Sequence, residues 1–235
     1  MTRRTRTILI VAILILALII GGYLYYRAHF QVYVDTARML DSVYNAEKSD
    51  ITYTVALNGK ELNVKFRTVK FPVGDGGSAM KIDVDGDFLS HTFYKVNGRS
   101  YDDANALERL IPKNFMSLLQ WGADSYESDL TIERIRDGAR SVYTVQVPDD
   151  MVQSFMDRYL EGLDKLNLTY SDCTMYLTAV DGQVTELTLQ GDTKYKVLIR
   201  EASTMITVRA QVNAVGDAVK TPSLPEDVQS AMHGS

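Results

Sequence analysis

The sequence predicts an α+β protein in which a single N-terminal transmembrane helix precedes a curved antiparallel sheet. Three observations predict this fold class. Thr7 to Tyr26 contains no charged residue, and a run of about 20 such residues matches the hydrocarbon core of a bilayer. About ten or eleven later segments alternate apolar and polar side chains, which is the period of a half-buried strand. Amphipathic helical segments interrupt these strands and could cover the apolar side of the sheet.

The first element is the apolar run, and its flanking residues predict its orientation. Basic residues hold the preceding end in the cytoplasm, and tyrosines suit the opposite headgroup layer. We therefore expect a single-pass cell-membrane protein with a cytoplasmic N-terminus, an extracytoplasmic C-terminal domain and the membrane as a partner. The flanking residues are Arg3, Arg4, Arg6, Tyr23, Tyr25 and Tyr26.

A cleaved signal peptide is the alternative interpretation of this run. Signal peptides have an apolar core of about 7–15 residues followed by small residues at the cleavage site. Here the run is longer, and Gly21-Gly22 leads into bulky tyrosines. This pattern favours an uncleaved signal-anchor, although cleavage stays open.

The spacing of apolar residues along the chain predicts its organisation. After the anchor this spacing is typical of a helix, and near Ile51 it changes to the alternation that is typical of a strand. Helical segments return near Asp103 and from about Asp149 to Leu166. The predicted segments are a cytoplasmic stub (1–6), a transmembrane anchor (7–26), a linker helix (27–50), one extracytoplasmic domain (51–228) and a disordered tail (229–235).

Glycine-containing turns join the predicted strands. Asn-Gly and Asp-Gly pairs supply the positive backbone angles of tight hairpins. Antiparallel strands joined in this way have one apolar and one polar face, so the expected sheet is curved and covered on one side. The pairs are Asn58-Gly59, Asp85-Gly86, Asn97-Gly98, Asp137-Gly138 and Asp181-Gly182.

Charge restricts the possible partners of this domain. All 30 acidic residues follow residue 27, whereas four of the 25 basic residues lie at or before it. The remainder carries 21 basic against 30 acidic residues, a formal net charge of −9. Such a surface repels nucleic acid, so a nucleic-acid partner is not expected.

The histidine, aspartate and cysteine residues do not form a pattern that is typical of a catalytic or metal-binding site. His29, His91 and His233 lack the spacing of metal ligands. Asp83-Val-Asp85-Gly-Asp87 resembles the start of a calcium loop, but Tyr94 stands where the loop requires glutamate. Cys173, the single cysteine, is expected to be a small buried apolar residue. We predict no enzyme activity, no catalytic residue, no metal site and no cofactor.

Three segments near the C-terminus carry a resemblance to a known superfamily. They are MYLTAVDGQVTELTLQGD from Met175, the alternating strand MITVRAQVNAV from Met205, and TPSLPEDV from Thr221. Together with the order of helices and strands, they resemble the LolA/LppX-like superfamily of envelope lipoproteins, and in particular uncharacterised LolA-like lipoproteins of Gram-positive bacteria. This chain differs from many of them because it has an apolar span in place of a lipidated cysteine.

The resemblance implies an unclosed β-barrel whose concave face is lidded by amphipathic helices. In some members the enclosed apolar cavity holds a lipid or the acyl chain of a lipoprotein. The resemblance thus implies a membrane-anchored extracytoplasmic binding module for a lipid or a lipidated partner. The candidate lining residues are Phe115, Met116, Leu119, Trp121, Met151, Phe155, Met156, Tyr159 and Leu163.

Two alternatives stay open at this point. The candidate lining residues could simply fill the core between helices and sheet. The domain could instead be a structural or sensory envelope domain that binds another protein and has no ligand cavity.

Overall fold

The computed structural model describes residues 20, 23, 26–27, 31–74, 76–87, 90–101, 131–159, 168–197 and 200–233. Ten β-strands and several short helices run through these residues. In chain order they are α1 (Gln31–Tyr44), β1 (Ser49–Leu57), β2 (Lys60–Val73), β3 (Gly77–Gly86), β4 (His91–Val96), β5 (Arg99–Tyr101), β6 (Ile132–Asp137), β7 (Arg140–Val147), α2 (Asp149–Tyr159), β8 (Thr169–Val180), β9 (Gln183–Val197), β10 (Arg200–Val215), a 3₁₀ turn (Gly216–Ala218) and α3 (Glu226–His233).

The ten strands form one antiparallel sheet in the order β5-β4-β3-β2-β1-β10-β9-β8-β7-β6. The chain winds outward from β1 to β5, crosses to the other edge at β6, and winds back to β10. The first and last strands therefore meet in the middle of the sheet, where Ser49 pairs with Val215 and Leu57 pairs with Ile206. This pairing joins two five-stranded meanders.

Tight turns with positive backbone angles connect several of the strands, as the sequence predicts. The predicted turn at Asp85-Gly86 is wrong, because both residues lie within β3 and pair with β2. Asn58, Asn97 and Asp181 have φ angles of 49°, 49° and 51°, and the glycine after each is also positive. This combination defines the hairpin turn that matches the twist of paired strands. The Asn58 side chain also accepts a hydrogen bond from the backbone N–H of Met205 at 3.0 Å, which ties the β1–β2 turn to β10.

One face of the sheet, the inner face, carries the main hydrophobic core. Alternate residues of β3, β1, β10, β9, β8 and β7 point to this face and are buried there. The face is covered by α1, which contacts β6 and β9, and by α2, which contacts β8. The largest buried members are Tyr53, Ile82, Phe93, Tyr143, Met175 and Leu177.

The opposite side, the outer face, carries a second and smaller core at one end. In β2 the apolar residues change from an even-numbered position, Phe66, to the odd-numbered positions Val69 and Phe71. Successive side chains of a strand point to opposite faces, so Val69 and Phe71 point to the outer face. They pack with Ala79 and Val96 beneath the C-terminal segment, which contributes Val219, Leu224 and Val228. The prediction that helices cover only one side of the sheet is wrong at this end.

The predicted transmembrane helix requires a correction. In the described part of the chain no helix is long and apolar enough to cross a membrane. The helices α1, α2 and α3 have 14, 11 and 8 residues. At about 1.5 Å per residue even the longest reaches only about 21 Å, against a hydrocarbon core of about 30 Å. Of the predicted anchor at 7–26, only residues 20, 23 and 26 belong to the described part.

Several predictions are corrected by the same finding. The fold class is mostly antiparallel β-sheet with short helices, and not an α+β protein that begins with an N-terminal transmembrane helix. The membrane partner, the signal-anchor assignment and the single-pass localisation with an extracytoplasmic domain depended on that helix, and the described structure contradicts them.

Candidate functional site

The inner face is the first candidate surface, because the sequence places the predicted cavity there. Among the predicted lining residues, Met151 is 4% exposed and packs in the main core beside Val152. Phe155, Met156 and Tyr159 belong to α2, but only their backbone is described. The others, Phe115, Met116, Leu119, Trp121 and Leu163, lie outside the described residues.

The middle of the inner face is a packed apolar floor. Tyr53, Ala210, Leu187 and Leu177 stand side by side on four neighbouring strands, each in register with the next. All four are buried. Burial raises the pKa of Tyr53 to about 12, and its hydrogen bond with Thr68 opposes this shift. These side chains contribute mainly through the apolar area that they remove from water.

The same face opens toward the β1–β2 turn. Five aliphatic side chains there are only half-buried. We call this group the aliphatic end; its members are Val55, Leu57, Leu189, Ile206 and Val208. Val55 pairs with Val208, Leu57 pairs with Ile206, and Val208 also pairs with Leu189. None of these residues is among the candidate lining residues that the sequence predicts. The period-two pattern shows that they are apolar, but their exposure depends on which strands lie beside them.

A buried hydroxyl without a partner lies close to the aliphatic end. Leu189, Gly191 and Thr193 are alternate residues of β9. The Thr193 side chain therefore points to the inner face, as the Leu189 side chain does. It is 2% exposed, and its Oγ1 makes no hydrogen bond. Its neighbours in register are Thr204 on β10 and Tyr170 on β8. Leaving such a group unsatisfied costs about 1–3 kcal/mol.

Cys173 is packed against the backbone of the neighbouring strand. Asp172 has a φ angle of 54°, and the register between β8 and β9 shifts here. The Cys173 side chain is buried, which confirms the prediction of a small buried residue. A Cβ atom on Gly191 would lie 2.4 Å from the Cys173 Sγ. Burial, followed by the nearby carboxylates, raises the pKa of the thiol to about 11, so it stays protonated.

The outer face carries a groove of about 240 Å³ lined by residues of β1, β2, β9, β10 and the β1–β2 turn. In this groove, Arg209 lies between two carboxylates. Its Nη1 is 3.2 Å from Glu61 and its Nε is 3.7 Å from Glu186. Small residues on the adjoining strands leave the space open. The remaining lining residues are Thr54, Ala56, Gly59, Thr188, Gln190, Met205 and Thr207.

An ion-pair network next to this groove joins β1, β2 and β10. Arg67 donates two hydrogen bonds to Asp50, at 3.0 and 2.6 Å, and the Asn213 amide donates a third at 2.9 Å. The bond with Arg67 is the main reason that the pKa of Asp50 is lowered, and the bond from Asn213 adds to it. Charge-assisted bonds of this geometry hold the three strands in register.

The described part of the chain holds no group of three or more His, Cys, Asp or Glu residues that could bind a metal ion. Asp83 lies inside β3 and not in a loop. It accepts hydrogen bonds from Thr92 at 2.6 Å and from Lys81 at 2.9 Å. His91 is exposed and stacks edge-on against Phe93, with ring centroids 4.7 Å apart.

Comparisons with known proteins add little to this geometry. No protein-family model and no curated protein matches the sequence. Among solved structures, the chain is similar to the bifunctional dehydratase-cyclase domain in ambruticin biosynthesis. That alignment has 11% identity, covers 78% of this chain and 80% of the other, and has a TM-score of 0.16. A likeness this low carries no argument about fold or function.

Proposed function

We propose that this protein is a binding module that holds a lipid, or the acyl chain of a lipidated partner, on the inner face of its sheet. The observation that carries the proposal is the aliphatic end. Its five apolar side chains are contiguous across three strands and only half-buried, while the floor beside them is fully packed. The resemblance to LolA/LppX-like lipoproteins points to the same class of ligand.

The energetics of this surface suit an acyl chain. Burying one methylene group contributes about 0.8 kcal/mol. Five methylenes against the aliphatic end would therefore contribute about 4 kcal/mol before the cost of ordering the chain. An aliphatic ligand also needs no directional partner, and the side chains of this group offer none.

A matched pair of variants on β10 tests the proposal. Val208→Glu places a carboxylate in the aliphatic end, whereas Ser203→Glu adds the same charge on the outer face, opposite Lys194. The readout is displacement of the neutral fluorescent probe N-phenyl-1-naphthylamine by methyl dodecanoate. We expect V208E to abolish displacement and S203E to leave it unchanged.

Thermal unfolding of both variants checks that each one folds. The proposal fails if folded V208E still binds probe and ester as the unmodified protein does. It also fails if mass spectrometry of the purified protein finds no lipid and the unmodified protein does not bind the probe.

A second candidate function is a structural or sensory domain that binds another protein. The outer groove favours it, because Arg209 and its two carboxylates form a charged, partly exposed surface. A crosslinking pull-down would recover one specific protein that Arg209→Ala loses and V208E keeps. The reverse pattern would reject this function in favour of the lipid-binding one.

A further inference from the structure

The buried, unpaired hydroxyl of Thr193 lies on the inner face next to the aliphatic end. Thr193 pairs with Thr204, which stands two residues before Ile206 of the aliphatic end on β10. Two residues along a strand span roughly 7 Å, and both positions face inward. A chain lying on the aliphatic end would therefore bring its polar terminus next to Thr193, which has an O–H donor and no protein partner. Because Thr193 is 2% exposed, the side chains that cover its hydroxyl must move aside when the ligand binds.

The charge around this position restricts what that polar terminus can be. Burial, and after it the carboxylates of Asp149, Asp172 and Asp192, raise the pKa of Cys173, which faces Gly191, two residues before Thr193. Burial and nearby negative charge would also oppose a ligand carboxylate at this position. A neutral carbonyl oxygen accepts a hydrogen bond from Thr193 without that penalty.

From these observations we infer that Thr193 anchors the carbonyl oxygen of an uncharged acyl ester or amide, and not a free fatty acid. This inference rests on the proposed function and specifies its ligand class. The hydroxyl of Thr193 is buried and makes no hydrogen bond within the protein. The bound carbonyl supplies a partner, so the site is specific for a carbonyl-bearing chain over a plain hydrocarbon.

The test compares Thr193→Val, which keeps the shape and removes the hydroxyl, with Thr193→Ser, which keeps the hydroxyl. Methyl dodecanoate, dodecane and dodecanoic acid each compete with N-phenyl-1-naphthylamine. One net hydrogen bond corresponds to a change in affinity of about fivefold. We expect T193V to weaken the ester by that factor and to leave dodecane unchanged, and T193S to retain the ester affinity. Dodecanoic acid should bind more weakly than its ester to the unmodified protein.

Thermal unfolding without ligand gives an independent readout. Because T193V removes an unsatisfied buried group, it should raise the melting temperature; a decrease would show that the hydroxyl already has a partner and would overturn the inference. Equal weakening of ester and dodecane, or no weakening of either, would also overturn it while the proposed function stands. If no competitor displaces the probe from the unmodified protein, the proposed function itself fails.

Discussion

The main core on the inner face and the ion-pair network on the outer face are stabilised by different forces. On the inner face, buried side chains such as Ile82 and Leu177 make only apolar contacts, which are non-directional and scale with area. On the outer face, Asp50, Arg67 and Asn213 make directional bonds across three strands. Packing therefore supplies most of the stability of the main core, whereas the directional bonds of the network fix the strand register.

The largest expected effect comes from removing volume on the inner face. Ile82 is 0% exposed, so Ile82→Ala leaves a cavity and should lower the free energy of unfolding by about 2–5 kcal/mol. Ile135→Ala is the control, because Ile135 on β6 is 67% exposed and the same substitution there leaves no cavity. Urea denaturation should show I135A within about 0.5 kcal/mol of the unmodified protein. Similar losses for both variants would contradict the division between packed and exposed positions.

The next effect concerns the outer face and depends on pH. Because the folded pKa of Asp50 lies below its ordinary value of 3.8, the network is fully stabilising above pH 3.8 and is lost as the pH falls through the folded pKa. Asp50→Asn should cost about 1.5–3 kcal/mol at neutral pH and should flatten this acid dependence.

Asp217→Asn is the control for that prediction. Asp217 is fully exposed and stands 3.8 Å from Lys48, a surface pair that contributes little. Urea titrations between pH 3 and pH 7 should show the unmodified acid dependence in D217N. If D50N kept the same slope as D217N, directional bonding at Asp50 would not stabilise the fold.

The smallest expected effect concerns the contact between Cys173 and Gly191. A Cβ atom at position 191 would overlap the sulfur, so Gly191→Ala should destabilise by about 1–3 kcal/mol. Cys173→Ala removes the overlapping atom. The double variant should therefore be more stable than G191A alone, as measured by thermal unfolding. Strict additivity of the two changes would show that the overlap is not the cause.

Local features of the fold could be predicted from the sequence, and non-local ones could not. The turns at Asn58-Gly59 and Asp181-Gly182 follow from residues that accept positive φ angles. Period two identifies which side chains share a face, but it does not identify the neighbouring strand. The pairing of Val55 with Val208, and with it the aliphatic end, therefore required the structure.

The second core could not be predicted from the sequence either. The change of the apolar residues of β2 from Phe66 to Val69 and Phe71 is visible in the sequence. It does not show that the C-terminal segment brings Val228 to the outer face to cover them. Of the predicted lining residues, only Met151 has a described side chain, and its burial fits a core position as well as a site.

The central pairing of β1 with β10 has a consequence during protein synthesis. Roughly 150 residues separate Leu57 from Ile206, so a ribosome adding about 5–20 residues per second needs about 8–30 s to make the second strand after the first. During that interval the free edge of β1 can pair with another nascent chain. Intermolecular mispairing of β1 is therefore the failure that we expect chaperones to prevent in this protein.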